Sequence, residues 1–395
     1  MTSRPPSDLD LTEPGFLRDP YASLAALRAT APMVWHERSG MWWATTHAAV
    51  SAVLRERALG RLWTNREPVE RFEPFNTLHR NQMMENEPPV HTRLRRLVAG
   101  AFARGHVERM RPRVHQLAAE LLDAVDPAGF DLVADYAEPL PVAVIADMLG
   151  VPAADRVLLR DWSQAIVRMY EYDRSAALEE AALAASTEFA AYVRAMVDER
   201  RARPGEDLIS DLIAAQDEGG RLTADELVAS VVLLLNAGHE ASVNAFGNGM
   251  NALLSHPGQQ DRLTSGAIAV PVAVEELLRF DAPLQLFERT AARDVEVAGV
   301  RLAAGDRVAA LMGSANRDAA AFAEPDVFDV SRDPNPHVGF GMGVHFCLGA
   351  PLARMELSVS LAALLDRHPS LRLAGEPSRR PTFVLRGYER LPVAA

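Results

Sequence analysis

Residues 223–255 place the strongest constraint on the fold. Thr223-x-x-Glu226 has the form of a capping box, a side chain and a backbone N–H bonded reciprocally at a helix start. The helical pattern then runs on to about Ser255, where Pro257 stops it. At about 1.5 Å per residue the helix is about 48 Å long, enough to cross a whole domain. Its run "VVLLL", residues 231–235, predicts burial. The middle nevertheless reads "NAGHEAS", residues 236–242. A glycine inside a helix costs about 1 kcal/mol relative to alanine. A buried carboxylate costs several kcal/mol unless it is compensated. Gly238 and Glu240 together therefore point to a site, since local rules tend to break where function demands it. The alternative is a kink that carries Glu240 to solvent.

Around this helix the chain is uneven. Residues 33–47 alternate about Ser39-Gly40 and predict a β-hairpin. Residues 61–88 carry polar and proline breaks and read as a long loop. From Pro89 onward the chain is mostly helical by its spacing of alanine, leucine and arginine. Residues 296–311 return to short strands with glycine turns, and 324–340 form a proline-rich irregular segment. No repeat or low-complexity linker is visible, so one domain over residues 1–395 is expected, although length alone suggests two or three. The first residues lack the apolar core of a signal peptide and no run of 18 apolar residues occurs, which predicts a soluble, cytoplasmic protein without a membrane span. The net charge of -12 argues against non-specific nucleic-acid binding. All 41 basic residues are arginine, so P-loop, Schiff-base and lysine general-base chemistry are excluded.

The stretch "GFGMGVHFCLGAPLAR", residues 339–354, contains the only cysteine of the chain. One thiol makes neither an internal disulfide nor a multi-thiolate metal site. Three readings stay open: a small buried hydrophobe, a nucleophile partnered by His345, and a single axial metal ligand. Gly341, Gly343 and Gly349 allow close backbone approach to the sulfur and unusual φ values. A helix starting near Ala350-Pro351 brings its positive end to the thiol. Elsewhere, His91 and Arg95 stand four apart and share a helix face that can hold an anion. Glu276 and Arg279 stand three apart, where a surface ion pair is the plain reading. Arg289 lies in an extended stretch.

Phe340-Gly341-x-Gly343-x-His345-x-Cys347-x-Gly349 resembles the haem-binding signature of the cytochromes P-450. Ala237-Gly238-His239-Glu240, Glu276-x-x-Arg279, His91-x-x-x-Arg95 and "ANRD" at residues 315–318 also match, in family order and over nearly the whole chain. The resemblance implies a mainly α fold with small β-sheets, a triangular single domain with its long helix over the haem. It implies haem b as cofactor, with Cys347 as its thiolate ligand. His91, Arg95, Arg289 and His345 match positions that bind the haem propionates, and Phe340, Gly349 and Ala237 match positions that border the haem. Glu276 and Arg279 with Arg332 match a structural triad. His239 is expected to face away from the haem.

Most members of that family follow the distal acid with threonine, whereas here Glu240 is followed by Ala241 and then Ser242. One residue is about 100° of helix turn, so Ser242 cannot stand in for a hydroxyl at 241. The variant resembles that of some macrolide-hydroxylating members and implies proton delivery assisted by a substrate hydroxyl and water. Retention of Glu240 argues against a peroxide-driven enzyme. Substrate contacts are implied at Phe72, Phe75, Leu78, Met83, Met84, Ile166, Met169, Leu234, Ala237, Ala241, Leu284, Leu286, Phe287 and Leu385, an adaptable apolar lining. Residues 91–113 hold seven arginines and one glutamate, which suits docking of an acidic ferredoxin; a solvated helix face is the plain alternative. The expectation is a monomeric haem-thiolate monooxygenase, fed with electrons from NAD(P)H through a ferredoxin and its reductase. Its substrate is expected to be an apolar small molecule of secondary metabolism. An epoxidase or oxidative-coupling enzyme, and a non-catalytic haem sensor or carrier, are the alternatives.

Overall fold

The structure is a computed structural model and describes residues 6–217 and 222–395. The central helix is Ala224–Leu254. Its capping box is formed: the Glu226 N–H donates to Thr223 Oγ1 at 3.1 Å, and the Thr223 N–H donates to Glu226 Oε2 at 2.9 Å. The helix is long and apolar enough to cross a membrane by length and composition, but most of its length is buried inside the protein. Helices Pro139–Leu149, Arg156–Val167, Ala176–Ala202 and Val270–Phe280 pack around it. Helix Ala350–Arg367 runs beneath it and lies along Arg104–Ala124. These helices share one large core.

The hairpin at residues 33–47 is present as strands Met33–His36 and Met41–Ala44, with Met33 opposite Ala44. It belongs to a six-stranded sheet. Met41–Ala44 pairs in parallel with Arg307–Ala310, which pairs antiparallel with Phe287–Ala291. That pairing sets Arg289 opposite Val308 at the edge of the cavity described below.

Residues 61–88 depart from the expected loop. They contain the helix Val69–Arg80 and a short turn of helix, Met83–Glu85. Pro68 sits at the N-cap, where no N–H is needed. Pro74 lies inside the helix and is tolerated because Phe72, Phe75 and Leu78 are buried in the main core. Tertiary packing here outweighs the local preference read from the prolines.

The Glu276–Arg279 pair is not on the surface. Both side chains are fully buried, with Arg279 Nε 2.7 Å from Glu276 Oε2 and Nη2 2.8 Å from Oε1. Arg332 Nε and Asn335 Nδ2 also reach Glu276 Oε2, and the Asp329 N–H donates to Oε1. Arg279 Nη1 donates to the carbonyls of Asn316 and Pro325. One carboxylate thus gathers the irregular segment that leads into the cysteine loop. Breaking a buried pair from one side costs about 3–5 kcal/mol, because the other charge is left uncompensated. Glu276→Ala is therefore expected to lower unfolding stability by about that amount, measured by urea denaturation of the intact protein. A loss within about 1 kcal/mol would place the pair among ordinary surface contacts.

Candidate active site

Cys347 lies at one wall of a cavity of about 1110 Å³. Its loop is fixed from both sides: the Cys347 N–H donates to the Phe340 carbonyl at 2.9 Å, and the Gly341 N–H to the Val338 carbonyl at 2.8 Å. Gly341 and Gly343 have φ of 68° and 72°, the left-handed region that favours glycine. A Cβ on Gly343 would stand 2.5 Å from the Leu54 carbonyl oxygen. Gly349 differs. Its φ is -80° and a Cβ there would meet Cys347 Sγ at an ordinary 3.9 Å, so neither strain nor a clash demands glycine. Burial pushes the Cys347 thiol up, while N–H donation from Gly349 and Ala350 and the charge of Arg95 pull it down. Those N–H groups open the helix Ala350–Arg367, the electropositive end expected to favour a thiolate.

The central helix lines the cavity with Leu234, Ala237, Gly238, Glu240, Ala241 and Ser242. It stays helical throughout, and Glu240 is only 3% exposed, so the kink that would take the acid to solvent does not form. Glu240 Oε2 accepts from Arg380 Nη1 at 2.9 Å, while Oε1 is buried without a hydrogen-bond partner, the His239 ring Nδ1 standing 3.9 Å away. Burial raises the Glu240 carboxyl above its ordinary value and the Arg380 guanidinium opposes that rise. Arg380 also faces Glu138 at 3.7 Å, and Glu138 is held by Arg160 and Gln164. Sequence reading missed Arg380, which lies 140 residues from its partner and has no motif of its own. It also passed over Glu356, a buried cavity-lining acid whose carboxyl burial alone pushes up to about 8. His239 is buried and does not line the cavity.

Four basic side chains gather beside the cysteine. His91, Arg95, Arg289 and His345 all line the cavity, although they come from three separate elements: the helix Val90–Ala99, the strand Phe287–Ala291 and the short helical turn Gly343–His345. The His91 and His345 rings lie 4.6 Å apart. Arg95 Nη2 donates to the Phe346 carbonyl, and Arg289 Nη1 to the Glu288 carbonyl. His345 Nε2 is 2.7 Å from Glu87, whereas His91 Nδ1 is buried without a partner. Burial, then the charge of Arg61, pulls the Arg289 guanidinium down to about 9. Burial, then His345 and Arg95, pulls His91 down to about 4. Each shift comes first from burial and then from the neighbouring cations, against which Glu87 works in the opposite sense.

The expected substrate residues divide into two groups. Met83, Met84, Leu234, Leu284, Leu286, Phe287 and Leu385 line the cavity, as does Phe340. Phe72, Phe75, Leu78, Ile166 and Met169 do not. They are buried in the core behind it, because helix Val69–Arg80 turns its apolar face toward Ala176–Ala202 and the central helix. Trp63, Ile145, Val167, Tyr170 and Tyr172 occupy the wall instead.

The cytochrome P450 family model matches residues 160–266 and 270–378 of this chain. The chain belongs to the cytochrome P450 family. It is 39% identical over 405 residues to the cytochrome P450 monooxygenase PikC of Streptomyces venezuelae, covering 99% of this chain and 95% of that protein. It is 39% identical to the 6-deoxyerythronolide B hydroxylase of Saccharopolyspora erythraea, covering 97% and 98%. A solved structure of P450BioI, bound to an acyl carrier protein ligated with hexadec-9Z-enoic acid, superposes with a TM-score of 0.92 at 34% identity, covering 96% of this chain and 99% of that one. The protein is thus a P450 monooxygenase that uses haem iron, dioxygen and external redox partners. The fold is the mainly helical P450 fold.

The site fits the P450 cofactor on its own chemistry. It offers one thiol with N–H donors aimed at it, and, at the same cavity, basic groups short of anions that suit two propionates. The pairing of Glu240 with Arg380 has a consequence in pH. The Arg380 cation favours the ionised acid, so Arg380→Gln is expected to raise the Glu240 pKa further. The acidic limb of the kcat/KM profile should move to higher pH, and Glu240→Gln should remove that limb.

Proposed function

We propose that this P450 hydroxylates a medium-to-large, mainly apolar small molecule of secondary metabolism. The observation that carries the reading is the placement of Cys347 and Glu240 on one cavity with an otherwise largely apolar lining. The similarity to a hydroxylase acting on 6-deoxyerythronolide B supports a polyketide-like substrate. When bound, the haem supplies binding and activation of dioxygen at its iron. Cys347 Sγ would hold the haem iron, and His91, Arg95, Arg289 and His345 would hold the propionates. Residues 1–395 act as one domain, and the protein is a cytoplasmic monomer.

Glu240 manages the proton. Its Oε1, which accepts no hydrogen bond, is the atom that takes up a proton and passes it into the cavity, while Arg380 keeps Oε2 in place. Ala241 provides no hydroxyl for the next step, and Ser242 lies one residue further round the same helix. The remaining hydrogen bond comes from the substrate and from water.

Electrons reach the face behind Cys347 from a ferredoxin served by its own reductase. Val344 of the cysteine loop is exposed, whereas Phe346, also exposed, lines the cavity. Three of the seven nearby arginines are already neutralised: Arg93 pairs with Glu226, Arg111 with Glu108 and Arg113 with Asp147. With Arg95 at the cavity, Arg96, Arg104 and Arg109 form no ion pair among the described residues and are the charges left for an acidic partner.

Reduced protein exposed to carbon monoxide tests the reading first. A strongly red-shifted Soret band is expected, and Cys347→Ser should abolish it. A spectrum of the histidine-ligated type would return Cys347 to the other thiol roles. For proton delivery, Ala241→Thr is expected to leave product formed per NAD(P)H unchanged or lower with the native substrate. A sharp rise would overturn substrate assistance.

A further inference from the structure

The cavity wall formed around residues 61–66 and 170–174 carries two guanidiniums that have no ion-pair partner among the described residues. Arg66 and Arg174 both line the cavity. Arg66 Nη2 donates to the Met169 carbonyl at 2.9 Å, and Arg174 Nη1 to the Glu171 carbonyl at 2.5 Å. The two guanidiniums therefore hold neighbouring carbonyls of one turn and stand close together. The Nε of each is buried without a partner, and neither forms an ion pair among the described residues.

The carboxylates within reach are committed elsewhere. Glu85 pairs with Arg61, and Glu179 pairs with Arg71 at 2.9 Å. Glu171 accepts the N–H groups of Phe383, Val384 and Leu385 at 3.1, 3.2 and 3.0 Å. Burial, then the like charge of Arg174, pulls the Arg66 guanidinium below its ordinary value. The Phe75 ring lies 5.3 Å from the Arg66 guanidinium carbon and limits its movement on that side. Two partly buried cations side by side are costly unless an anion joins them. Planar guanidinium forks suit a carboxylate or phosphate.

We propose that the substrate of this P450 carries an anionic group, a carboxylate or a phosphate ester, at one end of an apolar body, and that Arg66 and Arg174 bind that group. The apolar body lies against Trp63, Met83, Leu234 and Leu385, which share the cavity. This inference rests on the monooxygenase reading and narrows its substrate class.

The test uses haem-loaded protein whose carbon monoxide band has been recorded. Dodecanoate, methyl dodecanoate and dodecyl phosphate are titrated calorimetrically below their micellar concentrations. A charge-assisted contact in a partly buried site predicts that an anionic probe binds about tenfold or more tightly than the ester. Whether the carboxylate or the phosphate is preferred assigns the group. Arg66→Gln and Arg174→Gln should each reduce the acid-to-ester ratio several-fold, and Arg174→Lys should retain part of it. Equal binding of anion and ester by the unaltered protein overturns the inference, and that comparison does not depend on any variant folding. A preference that survives both glutamine substitutions together overturns the assignment to Arg66 and Arg174. Absence of the red-shifted band instead removes the monooxygenase reading and this inference with it.

Discussion

The dry carboxylate of Glu276 is the constraint on which the rest of the arrangement depends. A charge removed from water must be satisfied on every side. Glu276 is met by Arg279, Arg332, Asn335 and the backbone of Asp329. Arg279 in turn fixes the carbonyls of Asn316 and Pro325. Asn316 accepts the Val338 N–H at 2.9 Å, one residue before the glycine-rich stretch begins. A helix that is rigid by packing is thus tied to a segment with almost no regular hydrogen bonding. That tie and the hydrogen bonds of the loop itself together fix the position of Cys347.

The cavity is organised by contrast between balanced and unbalanced charge. Glu240 is balanced on one oxygen by Arg380 and left open on the other. Asp281, outside the cavity lining, is held by Arg386, Arg379 and the Tyr21 hydroxyl, a fully satisfied buried cluster. His91 Nδ1 beside Cys347, and the Nε atoms of Arg66 and Arg174, lack such partners. Asp281 and Glu276 are closed on every side by neighbours of their own chain; at the cavity some charges are closed, as Arg61 is by Glu85, while Arg66 and Arg174 are not. That difference separates scaffold from binding surface without reference to sequence motifs.

Much of this was legible in the chain. The capping box at Thr223 and the apolar run behind it located the central helix within a residue or so of its ends. The glycines at 341 and 343 carry the positive φ that the turn requires. The role of Gly349 was misread, since its backbone is ordinary. The helix Val69–Arg80 was hidden by its prolines, and with it the true destination of Phe72, Phe75 and Leu78. Periodicity tells that a residue is inward-facing, not whether it meets core or cavity. Ile166 and Met169 were misplaced for the same reason.

By itself the sequence determined the long helix, the buried acid within it and the lone cysteine in its turn. Each is a short-range pattern whose cost or geometry is set by residues a few positions apart. Only the tertiary structure decided that Glu276 and Arg279 are buried, that Arg380 holds Glu240, and that Arg66 and Arg174 face a cavity without counter-charges. These facts depend on contacts between distant segments and on the exclusion of water. A charged residue reads the same in sequence whether it is solvated, paired or waiting for a ligand, and its energy differs only once its surroundings are folded.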